Sequence, residues 1–169
     1  MDNKINIDSS RQLSQLFNYA CFYLKFRLRS KKEVIDYLQK KTNNWNDPTS
    51  LIDKTITHLE EIGLVDDLKF TEWLVHSRTS IKSKGEKAIR IELQKFGVAR
   101  DLVDQYFSQN PTDDQVSALR LLSKNWQRFS SYPEKIRFQK AINFLLRRGY
   151  SFSCAKEVYS QVRENERLT

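Results

Sequence analysis

Lys84, Lys87, Arg90 and Lys95 are spaced so that a helix would gather them on one side. At 100° per residue they fall within an arc of about 140°, and Ile89, Leu93 and Phe96 fall opposite. Arg137, Lys140, Arg147 and Arg148 repeat the arrangement against Phe138, Ile142, Leu145 and Leu146. Cations on the polar side of a helix bind anions, either phosphates or the carboxylates of an acidic protein surface. That chemistry is recognition. Because these cations stand away from the apolar stripe, reversing Lys87 and Arg90 to Glu is expected to leave the core untouched.

The charge is grouped along the chain. Residues 24–41 hold seven basic and two acidic residues, 76–100 again seven and two, and 120–148 eight and one. Between them, residues 42–75 hold two basic and seven acidic residues, and 101–119 hold four acidic and none basic. A single such cluster reads most simply as a solvated helix face. Threefold recurrence favours a partner-binding surface. Its candidate residues are Arg29, Lys31, Lys32, Arg78, Lys82, Lys84, Lys87, Arg90, Lys95, Arg128, Arg137, Lys140, Arg147 and Arg148.

Bond-making chemistry has little to stand on. His58 and His76 have the spacing of helix-surface or core-edge residues, and no HExxH, GxSxG or GxxxxGK[ST] pattern occurs. Asp66-Asp67 reads as a helix cap and Glu60-Glu61 as a polar helix end. Cys21 and Cys154 lack a neighbouring Cys or His at ligand spacing, so a zinc site and a disulfide scaffold are both disfavoured, and a reducing compartment is expected. Trp45, in a polar loop, could stack on a base or cover a partner. No catalytic residue, metal site or cofactor is expected.

The elements that must carry these side chains are helical. Leu13, Leu16, Phe17, Ala20, Tyr23, Leu24 and Leu28 step by three and four, and Val34, Ile35 and Leu38 follow. Asp47 is expected to cap a helix beginning at Pro48 and carrying Leu51, Ile52, Ile56, Leu59 and Ile62, with Gly63 as its left-handed end. The succession restarts at Asp66 or Asp67, breaks at Ser83 to Gly85, and restarts again after Asn110-Pro111. Leu38-Gln39-Lys40, Leu93-Gln94-Lys95 and Leu145-Leu146-Arg147 end the second helix of each round, with Thr42, Gly97 and Gly149 two residues on. The expected fold is all-α: three tandem three-helix repeats in an elongated, curved array, with residues 1–15 as a tail and repeats at 16–63, 64–110 and 111–169.

Composition agrees. Of 169 residues 39% are hydrophobic and 20 are aromatic, which argues against disorder. Four Gly and three Pro are too few for a turn-rich sandwich or barrel. The net charge of +8 biases the chain toward anionic partners. Neither a signal-like apolar segment at the N-terminus nor a membrane-length apolar run is present, so a cytoplasmic monomer without membrane contact is expected.

Gly63-Leu64-Val65-Asp66-Asp67, Phe70, Val75, Ser77 and Arg78, continued by Lys84-Gly85, Ile89, Glu92-Leu93 and Gly97-Val98, resemble the central signature of the RecX family of recombination regulators. Ser30, Glu33-Val34 and Leu38 resemble its first unit, and Phe144-Leu145-Leu146-Arg147-Arg148-Gly149-Tyr150-Ser151 its C-terminal unit. The resemblance covers roughly residues 17–162. Phe96 departs from it, a Lys being usual before the glycine. The resemblance implies a non-enzymatic regulator that binds the groove of the RecA filament on single-stranded DNA and restrains strand exchange and ATP hydrolysis. The alternatives are an autonomous helical nucleic-acid-binding protein contacting phosphates, and a scaffold joining two other proteins.

Overall fold

The computed structural model describes residues 2–168, with side-chain surroundings for 9–166. Among the described residues it is all-helical: α1 (Asp2–Leu24), α2 (Lys31–Lys41), α3 (Thr49–Glu61), α4 (Asp67–His76), α5 (Glu86–Lys95), α6 (Arg100–Gln109), α7 (Asp114–Asn125), the single turn α8 (Gln127–Ser130), α9 (Glu134–Arg147) and α10 (Phe152–Leu168). A π-helical turn, Ser77–Ile81, extends α4. Setting α8 aside, the order is three helices three times over.

Local sequence explains most boundaries. Ser30 and Glu33 form a reciprocal capping box that starts α2. Gly63, Gly97 and Gly149 follow the ends of α3, α5 and α9 at φ of +71°, +76° and +91°, where a side chain would be strained. Thr42, the residue in the corresponding place after α2, keeps a negative φ of −111° and instead donates its hydroxyl to the Leu38 carbonyl.

Four boundaries differ from expectation. Residues 2–15, read as a tail, are the opening turns of α1, since no Gly or Pro interrupts them. That helix ends at Leu24, so Leu28 lies beyond it and is exposed. Asp47 does not cap α3: it takes a left-handed φ of +45°, where a capping residue is extended, and Pro48 holds the cap position without a side-chain hydrogen bond. Lys84 is not on the face of α5. Ser83, at φ +46°, and Gly85 interrupt the helix before it, so helical phase does not carry through.

The chain divides into two compact units, residues 1–73 with 94–102, and 74–93 with 103–169. In the first, α1, α2 and α3 enclose Leu16, Ala20, Val34, Leu38, Ile52, Ile56, Leu59 and Val65. Tyr23 and Tyr37 stack at 4.1 Å beside this core, and Trp45 packs partly onto it. In the second, α7, α9 and α10 enclose Ala118, Leu122, Trp126, Ala141, Ile142, Leu145, Val158 and Tyr159. Full burial of a Leu, Ile or Val contributes about 1.5–3 kcal/mol, so each core supplies the main stabilisation of its unit.

Candidate partner-binding site

Two stretches of the second unit that are far apart in sequence meet at a pair of glycines. The Gly85 N–H donates to the Arg148 carbonyl at 2.9 Å. A Cβ on Gly85 would stand 2.7 Å from the Gly149 carbonyl oxygen, and one on Gly149 would overlap the Ala88 side chain. Only hydrogen in place of Cβ allows the start of α5 to lie against the end of α9. The 82–85 turn is then fixed from α9's side: the Arg148 guanidinium donates to the Lys82 carbonyl at 2.8 Å, and the buried Tyr150 hydroxyl donates to the Ser83 carbonyl at 2.9 Å. This contact brings Lys82, Lys84 and Lys87 to the end of α9 that carries Arg147 and Arg148.

The contact also has a carboxylate. Asp113 caps α7 by accepting from the Val116 N–H at 2.9 Å. Asp114, next to it, accepts from the Glu86 N–H at 3.2 Å, satisfying an orphan donor at the start of α5. The first unit repeats the device. Asp66 accepts from the Leu68 and Lys69 N–H groups, and Asp67 accepts from the Lys31 N–H at 2.8 Å, at the start of α2. There Ser30 donates to the Phe96 carbonyl at 2.7 Å, and the Lys32 stem lies against Gly97. Burial pushes the Asp67 and Asp114 carboxyls above the ordinary aspartate range, in spite of the N–H groups that hold them. Each doubled Asp thus caps its own helix with the first carboxylate and the preceding repeat's second helix with the second.

The sequence-predicted cations divide into two groups. Several are structural. Arg78 pairs with Glu92 at 2.6 Å, and Lys84 pairs with the same carboxylate. Burial works to raise the Glu92 carboxyl, but these two cations outweigh it and hold it below the usual range. Arg90 bridges Glu86 at 2.7 Å and Asp104 at 2.5 Å and lies 4.5 Å over the Phe107 ring. Desolvation lowers its pKa, yet the two carboxylates raise it overall. Reversing Arg90 would therefore disturb the fold, contrary to expectation, because its partner Asp104 lies 14 positions away and was invisible to helical phase. Arg29 covers the Tyr23 ring at 4.1 Å, Arg137 pairs with Glu166 at 3.0 Å and donates to the Ser130 carbonyl, and Arg148 holds the 82–85 turn. Lys31 and Lys32 pair at the surface with Glu60 at 2.9 Å and Asp36 at 2.5 Å.

The others face solvent. Lys82, Lys87, Lys95 and Arg147 are exposed and have no carboxylate partner among the described residues. Lys140 is exposed over the Tyr132 ring at 4.5 Å, and Arg128 donates to Asn125 at 3.1 Å. Lys82, Lys87 and Arg147 belong to the glycine contact of the second unit, while Lys95 belongs to the first unit. The sequence reading missed Asp114 and Tyr150 as the groups that position the turn; the recurrence of Asp-Asp at 66–67 and 113–114 is the signal that could have found the first. His58 and His76 are exposed on helices, and among the described residues no group of three or more His, Cys, Asp or Glu is arranged to hold a metal ion. No described helix is long and apolar enough to cross a membrane.

Two family models match the chain: "RecX, second three-helix domain" over residues 66–106 and "RecX, third three-helix domain" over 112–159. Each begins at one of the doubled aspartates or just before it. The chain belongs to the RecX family. The regulatory protein RecX of Oceanobacillus iheyensis is 30% identical over 167 residues, 98% of this chain and 60% of that protein. The RecX of Bacillus pumilus is 33% identical over 149 residues, 88% of this chain and 55% of that protein. The chain thus spans little more than half the length of these relatives. The crystal structure of RecX from Lactobacillus salivarius superposes with a TM-score of 0.78 at 24% identity, covering 91% of this chain and 98% of that one. At that identity the likeness shows the fold: an all-α array of three-helix repeats.

Proposed function

We propose that this RecX-family chain restrains RecA. It binds the groove of the RecA filament on single-stranded DNA through its solvent-facing cations and slows strand exchange and ATP hydrolysis, acting as a cytoplasmic monomer without chemistry of its own. The observation that carries this reading is the glycine contact, where Lys82, Lys87 and Arg147, supplied by two different repeats, come to one place and none is neutralised by a carboxylate among the described residues. Structural ion pairs nearby use up the available acids, so the remaining charge is directed outward. Several cations on a rigid frame suit a repeating acidic or phosphate-bearing surface, where separate weak contacts add through effective concentration.

The test is RecA's DNA-dependent ATP hydrolysis with this protein titrated in, beside binding to RecA-coated and naked oligonucleotide at physiological salt. The reading expects inhibition and a strong preference for the coated strand. Equal binding to both, without inhibition, would instead identify an autonomous phosphate-contacting protein.

A further inference from the structure

The end of α1 presents an apolar surface that the cationic site does not use. Phe22 is 63% exposed and Phe26 68%, their rings edge to face with centroids 5.5 Å apart. Leu64, 43% exposed, follows the left-handed Gly63 and lies on the same groove as Phe22. Cys21, Phe22, Leu24, Lys25 and Leu64 line a groove of about 500 Å³. Isolated exposed apolar residues are ordinary, but Phe22 lining a groove with Phe26 packed on its ring is a cluster of the kind that marks an interaction surface.

We infer that this groove takes an amphipathic helix of a protein partner, one that lays an apolar side chain between Phe22 and Leu64 and sets a carboxylate against Lys25. Charge selects this occupant. Lys25 is the one ionisable amine lining an otherwise apolar groove, so it complements one acid at the edge of an apolar stripe. A nucleic-acid strand fits less well. Strand binding needs a positively charged groove that tracks successive phosphates, and Lys25 is the single cation among the lining residues of this one. On the reading proposed above, the partner is the RecA protein of the filament, and this groove is a second, mainly apolar contact in a different unit from the cationic one.

The test compares the parent with Phe22→Ser/Phe26→Ser in binding to RecA filaments on a labelled oligonucleotide and to the naked oligonucleotide, with sedimentation of the protein alone. The expected result is a loss of roughly 20-fold or more in filament affinity, as for removal of two interface anchors, with thermal melting and naked-strand binding unchanged. Lys25→Glu, at an exposed site, should weaken filament binding several-fold and serves if the serine variant folds poorly. Unchanged filament affinity in both variants overturns the inference. So does an equal loss on naked strand, which would make the rings a base-stacking surface, and so does a parental dimer that the serine variant dissociates. A parent that ignores filaments altogether fails the reading under Proposed function, a result distinct from these.

Discussion

The two glycine contacts share one design and differ in what they leave exposed. In the first unit Ser30 reaches the Phe96 carbonyl through its side chain, and the flexible Lys32 stem lies on Gly97. In the second, Gly85 reaches the Arg148 carbonyl with its own backbone, and Ala88 lies on Gly149. One spacer can move aside; the other is largely backbone. Charge differs likewise: Lys31 and Lys32 are paired with Glu60 and Asp36, whereas Lys87 and Arg147 have no such partner among the described residues. The contact itself is therefore architecture, and the unpaired cations added to one copy of it are the surface we propose for a partner.

The largest effect should come from the tighter contact. Gly149→Ala places a Cβ at φ +91° and against Ala88, so we expect a loss of about 3 kcal/mol or more in urea unfolding. Gly97→Ala, at φ +76° against a lysine stem that can rotate, should cost about 1–2 kcal/mol. Equal costs would erase the distinction between the two contacts.

Removing the shared carboxylate should affect both copies alike. Asp67→Ala and Asp114→Ala each strand a helix N-terminal N–H and should cost about 1–2 kcal/mol, whereas Asn keeps an acceptor. The pH dependence has a definite sign. Both carboxyls titrate above the ordinary aspartate value in the folded chain, so the folded state holds these protons more tightly than the unfolded one. The parent should gain stability relative to Asp67→Asn or Asp114→Asn as pH falls through the raised folded pKa toward the ordinary value, and lose it as pH rises. Glu92 behaves oppositely. Its carboxyl is held low, so the parent should lose stability relative to Glu92→Gln as pH falls through that lowered folded value. Paired melts at pH 7 and pH 4 check both signs.

The repeat pattern and the general positions of the helices were legible because apolar stripes and cap glycines are local signals. Gly63 adopts the left-handed conformation its position suggested, and Gly97 and Gly149, placed at helix ends by the repeat pattern, adopt it as well. The division among the cations was not legible. Arg78 meets Glu92 and Arg90 meets Asp104 across 14 positions, and Arg148 reaches the Lys82 carbonyl across 66, distances at which helical phase carries no information. The Asp67 and Asp114 bonds to the preceding repeat were hidden for the same reason, while the capping role of the Asp66-Asp67 pair was visible in the residue type alone.

A smaller structural effect should accompany the largest functional one. Lys87→Glu/Arg147→Glu changes two exposed side chains and should alter stability by no more than about 0.5 kcal/mol per site. Lys31→Gln/Lys32→Gln, which removes surface ion pairs of the first unit, should be similarly mild. The decisive measurement is the rate of ATP hydrolysis by RecA on single-stranded DNA, titrated with the parent and with these two variants. The parent and Lys31→Gln/Lys32→Gln should suppress the rate at similar concentrations, and Lys87→Glu/Arg147→Glu should need about tenfold more protein or fail to suppress it. A parent without effect, or a Lys87→Glu/Arg147→Glu variant that inhibits as the parent does, would contradict the account.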